Sequence, residues 1–303
     1  MPAGTIAASV SNQAFTMKQA PLSDWAVDEV ATGDSFEVSY TGLNTAHNRK
    51  ARRPRELPTF YYHTHFLEML DFVGTHYAHV LDEGQARFRT DFESLGFPAQ
   101  CLYVRMLNRR GRLFARQRLR YPEIDDIDAA FEELGRTGFL ARPGPDCADE
   151  LLVLLTRAQL LAALRPRLAG IRSTMKKAEL VALARQRVDA EQLFDWLPTD
   201  GIVAQGRCED ARFLLFLFFG RVQDGLTQFT MRDLGLVRSH EPGDAYDARF
   251  SDRDDAVQAY YFASRLERLR RDRHAASALY GEVDDWPSPQ APVAAEFRDR
   301  FAL

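Results

Sequence analysis

Seven arginines fall between positions 105 and 120: Arg105, Arg109, Arg110, Arg112, Arg116, Arg118 and Arg120. Guanidinium groups stay charged at any physiological pH and present a planar fork of donors that matches phosphate oxygens. No acidic residue stands between Glu93 and Glu123, so the run has no carboxylate neighbour in sequence. The alternative reading is a solvated helix face laced with salt bridges, and it needs acids that this stretch does not contain. An anionic polymer is the expected partner, with nucleic acid the first candidate, because phosphate contacts by arginine supply most sequence-independent affinity. Tyr103 and Tyr121 flank the run and would either stack on exposed bases or pack inward with the hydroxyl outward. A second basic pair, Lys176 and Lys177, lies at an expected helix start, where lysine opposes the helix dipole unless a phosphate approaches the same end.

Other chemistry has weaker support. His63, His65, His76 and His79 cluster in sequence, and His76 and His79 share a helix face, but zinc wants four ligands and no further one has suitable spacing. Asp125, Asp126 and Asp128 fit a helix start better than a metal box, since acids there complement the dipole. There is no G-x-S-x-G, no P-loop and no G-x-G-x-x-G, and no catalytic Ser or Cys can be argued. Neither catalytic nor metal-ligating residues are assigned. Cys101, Cys147 and Cys208 are odd in number and widely spaced, which argues against a disulfide framework and fits a reducing cytoplasm, with nucleoid association expected.

The elements that would position the arginines are helical. Apolar residues at helical spacing predict a first helix over residues 59–81, a second through Phe88, Phe92 and Leu95, and a third from about Ala99 to Arg110, with Gly111 as its stop. Arg105 and Arg109 are four apart and share a face, with Arg110 beside them. A helix near Asp125 to Gly135 and a short strand at Gly138–Leu140 follow. Helices closed by a small turn-strand element are how winged-helix modules are built. Beyond the Pro143–Cys147 linker, Leu151–Leu164 reads as one helix capped at Thr156. A second begins near Gly170, capped by Ser173 or Thr174. An apolar helix starts at Phe213, Phe229–Val237 is a short mixed segment, and a long helix runs from Asp254 to about Ser277. The fold class expected is mainly α: a winged-helix module, a second helical module and further helices. The boundaries are 1–57 for a disordered leader ending in the basic cluster Arg49–Arg55, 58–142 for the first module and 148–200 for the second. A helical linker or wrap region over 201–286 and a tail over 287–303 complete the division.

Charge is distributed in the same sense. Residues 49–120 carry fourteen Lys/Arg against seven Asp/Glu, while the 303-residue chain has a net charge of −4. A basic segment on an acidic chain points to a polyanion on one face. The longest apolar run, Phe213–Phe219, is well short of the roughly twenty residues that span a bilayer. No signal peptide and no membrane partner are expected.

Tyr61-Tyr-x-x-x-Phe66, Leu102-Tyr-Val-Arg-Met-Leu-Asn-Arg-Arg-Gly111, Leu119-Arg-Tyr-Pro-Glu-Ile124 and Gly138-Phe-Leu140 resemble the N-terminal half of the Fanconi-associated nuclease family. Leu154-Leu-Thr-x-x-x-Leu160, Lys176-Lys-Ala-Glu-Leu180, Arg232–Val237 and Ser251–Asp255 follow in that family's order, so the likeness covers roughly Tyr61 to Trp286. The resemblance implies a structure-specific DNA repair nuclease that acts near 5′ flaps and in interstrand crosslink repair, a phosphodiesterase of the 5′ exonuclease and flap endonuclease type. It implies a helix-turn-helix-like module followed by an SAP-like helical module, both gripping duplex or branched DNA, with Arg105, Arg109 and Arg110 as backbone contacts and Lys176 and Lys177 on the SAP-type helix. Arg112, Arg116, Arg118, Arg120 and Tyr121 extend that expected DNA-binding set. The family's nuclease centre holds Mg²⁺ or Mn²⁺ with Asp and Glu and places a lysine two residues after an acid. The four lysines here, Lys18, Lys50, Lys176 and Lys177, have Thr16, Asn48, Thr174 and Met175 at that position. The expectation is therefore the DNA-binding half without the catalytic domain, inactive alone and needing no cofactor itself, with a separate nuclease subunit as a possible partner. The alternatives are a winged-helix transcriptional regulator and a stand-alone DNA-binding adaptor without nuclease activity.

Overall fold

The phenylalanine-rich front of the chain folds as three helices around one aromatic core. In the computed structural model, which describes residues 57–222, 226, 248–271, 276, 279, 281, 282 and 286–302, these are α1 (Tyr61–His76), α2 (Glu83–Glu93) and α3 (Phe97–Leu107). The expected leader up to residue 56, its basic cluster and the Phe229–Val237 segment lie outside the described residues. Phe66, Phe88, Phe92, Tyr103 and Phe139 are all fully buried. Phe66 meets Phe92 and Tyr103 meets Phe139 edge to face, with centroids 4.9 Å and 5.0 Å apart. This arrangement places the positive ring edge on the negative face of the neighbour. The ends of α2 and α3 are set by local chemistry. Asp82 accepts from the Gln85 N–H at 2.8 Å and the Gln85 side chain accepts from the Asp82 N–H at 3.2 Å, a reciprocal cap. Gly96 and Pro98 open α3, with proline in the first turn where its missing N–H costs nothing. The third helix stops at Leu107, before Arg109 and Arg110, so those two arginines leave the helix face on which they were expected.

A small sheet follows. Strand β1 (Leu113–Ala115), helix α4 (Ile127–Arg136) and strand β2 (Leu140–Ala141) come from the front of the chain. Between β1 and β2 lies β3 (Ile202–Gln205), antiparallel to both, with Leu113 opposite Ala204 and Leu140 opposite Gln205. The central strand thus arrives some sixty residues after its second neighbour. The segment expected as a linker from residue 201 instead completes the first module. The reason is backbone pairing: β1 and β2 are not bonded to each other, and each finds its partner in β3. Gly206 ends β3 at a close approach. Its N–H donates to the Phe139 carbonyl at 2.9 Å, and a Cβ there would fall 2.2 Å from the Gly138 carbonyl oxygen. Gly206→Ala is expected to cost about 2–3 kcal/mol, the upper end of the usual range for point substitutions, because backbone must move on both sides. A urea titration reads this, and an unchanged midpoint would contradict it.

Residues 148–197 form four short helices with a core of their own. They are α5 (Ala148–Leu154), α6 (Arg157–Leu164), α7 (Lys177–Arg187) and α8 (Ala190–Trp196). Leu151, Leu152, Leu155, Leu160, Leu164 and Leu180 fill that core, and Leu113 and Ala204 of the sheet join it. The expected single helix over Leu151–Leu164 is two. Leu155 is extended, and Thr156 caps α6 by accepting from the Gln159 N–H at 3.3 Å. The next helix begins at Lys177, not near Gly170, and neither Ser173 nor Thr174 caps it. Lys176 occupies the cap position, where its own N–H donates to the Glu179 carboxylate at 2.9 Å.

The chain then returns to the first core. Helix α9 (Cys208–Phe219) buries Phe213, Leu214, Leu215, Phe216 and Leu217. Helix α10 (Arg253–Arg271) and helix α11 (Pro292–Ala302) add Ala256, Ala259, Phe262, Ala294 and Phe297 to the same cluster. The expected tail is therefore a packed helix. Its register on α10 is held by the Ala294 N–H, which donates to the Asp255 carboxylate at 3.0 Å. Burial raises the Asp255 carboxyl above the usual range, with the Ala294 N–H pulling the other way. Among the described residues, no helix is long and apolar enough to cross a membrane.

Candidate nucleic-acid interface

The seven arginines divide into two groups by their partners. Arg105, in the last turn of α3, points inward. Its Nε donates to Glu123 Oε1 at 2.7 Å and its second nitrogen pairs with the same oxygen. Its guanidinium also lies 4.2 Å from the centre of the Tyr62 ring. Both charged side chains are largely buried, at 13% and 10% exposure. Arg105, expected on a phosphate backbone, is committed instead to anchoring the Tyr121–Ile124 turn. Arg112 pairs with Glu150 at 3.0 Å and Asp146 at 2.9 Å, and also donates to the Asp146 carbonyl at 3.1 Å. Burial disfavours its charge, but Glu150 and then Asp146 more than offset that and raise its pKa. Arg116 pairs with Asp128 at 2.7 Å on the surface, and its guanidinium lies 4.8 Å from the Phe131 ring centre.

These acids lie outside the acid-free stretch and reach it through folding. The lack of local carboxylates therefore does not leave these three arginines without partners.

Arg109, Arg110, Arg118 and Arg120 are exposed, and among the described residues none of them pairs with a carboxylate. Arg109 lies over the half-buried Tyr121 ring, 5.5 Å from its centre, a cation–π placement that orients the guanidinium. Burial pushes the Tyr121 hydroxyl up, and the charge of Arg109 opposes it. Tyr121 is thus a support for Arg109. Tyr103 is core, its hydroxyl donating to the Gly206 carbonyl at 3.1 Å.

Arg118 acts electrostatically on the helical insertion. Lys177 is held below the usual lysine range by burial and then by the charge of Arg118, so the two cations are close in space. The Lys177 ammonium donates to the Val153 carbonyl at 2.5 Å, near the C-terminal end of α5, where a cation is favoured. Lys176 beside it is exposed. Arg157 holds the preceding loop by donating to the Met175 carbonyl at 2.8 Å and to the Ser173 carbonyl. The fold therefore brings one end of the arginine run and the lysine pair together, some sixty residues apart in sequence.

The histidines do not converge. His63 bonds Gln100 at 2.6 Å, His79 bonds the Phe250 carbonyl at 3.2 Å, and His76 packs on Phe72. Among the described residues, no three His, Cys, Asp or Glu side chains group as a metal site. Asp126 caps α4 by accepting from the Ala129 N–H at 3.0 Å.

Residues 60–141 match the family model described as FAN1, HTH domain. The chain is 32% identical over 185 residues to the Fanconi-associated nuclease 1 homolog of Pseudomonas aeruginosa, an alignment covering 59% of this chain and 32% of that protein. Over residues 60–141 it is thus similar to the helix-turn-helix domain of the Fanconi-associated nuclease family. A second relative, the Fanconi-associated nuclease 1 homolog of Oryza sativa subsp. japonica, is 26% identical over 192 residues, covering 58% of this chain and 20% of its own. The solved structure of paFAN1 bound to 2nt 5′ flap DNA with gap aligns over 82% of this chain and 45% of that one, at TM-score 0.64 and 26% identity. The complex with 1nt 5′ flap DNA with gap gives TM-score 0.62 at 27% identity, over 80% and 45% of the two chains. The match to the Pseudomonas aeruginosa relative thus spans about a third of that family member's length. The family's helix-turn-helix region coincides with α1 to β2.

Proposed function

We propose that this chain is the DNA-gripping part of a structure-specific repair nuclease of the Fanconi-associated type, acting on DNA with a 5′ flap and in interstrand crosslink repair. The observation that carries the reading is the exposed set Arg109, Arg110, Arg118 and Arg120, none of which pairs with a carboxylate among the described residues, with the charge of Arg118 acting on Lys177, on a fold similar to that of a flap-bound relative. The mechanism is electrostatic. Guanidinium and ammonium groups neutralise phosphates and release condensed counterions, which positions the duplex without reading bases. In this reading residues 148–197 act as an SAP-type module, and phosphodiester cleavage by Mg²⁺ or Mn²⁺ belongs to a segment or subunit outside these 303 residues. The absence of any acid two residues before a lysine supports that division.

The test is the affinity of the pure chain for a gapped 5′ flap against a matched linear duplex, measured by fluorescence anisotropy with and without Mn²⁺. Tighter binding of the flap and no cleavage are expected. Equal affinity for both would remove the flap assignment, and metal-dependent cleavage would remove the division of labour.

A further inference from the structure

The helical insertion leaves the sheet after β2 and returns into β3, so its attitude to the first module depends on the junction. Among the described residues, Arg112 makes several polar contacts there. Arg112 immediately precedes β1, and its own carbonyl accepts from the Gln205 N–H at 2.7 Å, which fixes its backbone to β3. Its side chain leaves the sheet and grips the first turn of the insertion at three points. Nε meets the Glu150 carboxylate at 3.0 Å, and the second nitrogen meets the Asp146 carboxylate at 2.9 Å and the Asp146 carbonyl at 3.1 Å. Leu113, the next residue, buries its side chain in the insertion's core. A backbone bond from the Arg116 N–H to the Gly201 carbonyl at 2.8 Å adds to the junction. At 29% exposure the Arg112 side chain is shielded, and its donors are spent on acids, so it is poorly placed to hold a phosphate.

We propose that Arg112 is a positioning residue that sets the angle between the sheet-bearing module and the helical insertion, and thereby the DNA shape the chain prefers. Arg118 lies on the first module, and Lys177, whose ammonium is fixed on the Val153 carbonyl, lies on the second. A linear duplex can satisfy either cationic surface alone. A bent, gapped flap substrate engages both at once, and that gain depends on their fixed spacing. The inference rests on the flap-binding reading above, and the tests below separate the two.

Three variants of the full chain are compared by anisotropy on gapped flap and matched duplex: Arg112→Lys, Arg112→Gln and Asp146→Asn with Glu150→Gln. The last leaves Arg112 in place and removes only its partners. The ratio of flap to duplex affinity is expected to fall about tenfold in all three, as two joined sites lose their shared geometry. If Arg112 gripped phosphate directly, Arg112→Gln would weaken both DNAs alike, the acid-neutral variant would strengthen both alike, and the ratio would hold. That result overturns the proposal.

A readout without DNA keeps it testable if the wild-type chain shows no flap preference. Spin labels at Glu132 on α4 and Glu191 on α8, both exposed, give the inter-module distance distribution. It should broaden in the acid-neutral variant. An unchanged width overturns the proposal even where flap binding stands, and a broadened width with no flap preference sinks only the reading it rests on.

Discussion

Replacing Arg110, Arg118 and Arg120 together with glutamine is expected to abolish most of the affinity for DNA. At about 0.1 M salt each phosphate contact accounts for roughly 0.9 of a decade in the binding constant, so losing three costs on the order of several-hundred-fold. The slope of log K against log salt should fall by about 2.7 in the same variant. The loss should be similar for flap and linear duplex, because these side chains contact phosphate and not bases. Stability should change by less than about 0.5 kcal/mol, since all three are exposed and none pairs with a carboxylate among the described residues. A titration at several salt concentrations decides it. Wild-type slope in the triple variant would refute the electrostatic reading.

Glu123→Ala is expected to have the largest effect on stability. It removes the carboxylate that holds Arg105 beneath the Tyr62 and Tyr121 rings, where the guanidinium is largely out of water. Removing one partner of a buried pair costs about 3–5 kcal/mol, because the remaining charge keeps its desolvation penalty and loses its compensation. Tyr62 loses as well, since its hydroxyl donates to Glu123 at 3.4 Å. Chemical denaturation should show the drop. Replacing both partners, Arg105→Met with Glu123→Leu, should restore stability to within about 1 kcal/mol of wild type, as apolar substitutes of similar volume often do. That double variant also tests the assignment of Arg105. Affinity for DNA should be unchanged in it. A tenfold loss with stability intact would return Arg105 to the phosphate-binding set.

The two expectations treat chemically identical side chains in opposite ways, and the distinction is tertiary. Arg105 and Arg118 look alike in sequence, in one run with no acid nearby. The partners that separate them are remote: Glu123 lies 18 residues beyond Arg105, and Glu150 lies 38 beyond Arg112. The Tyr121-Pro-Glu-Ile124 motif contained the clue, since its glutamate follows the run directly, but nothing local shows that the turn folds back onto α3.

Local chemistry was legible where it acts over one helical turn. The apolar spacing of Phe88, Phe92 and Leu95 predicts α2, Thr156 and Asp126 cap the helices they precede, and the family motifs locate the helix-turn-helix region. The sequence by itself determined the density of permanent positive charge and the helical character of most of the chain, because charge and periodicity are properties of residue type and short spacing. The tertiary structure alone decided which arginines face solvent, that β3 completes a sheet begun some ninety residues earlier, and that the charge of Arg118 acts on Lys177. Pairing between distant segments depends on how their surfaces pack, and one-dimensional spacing carries no record of it.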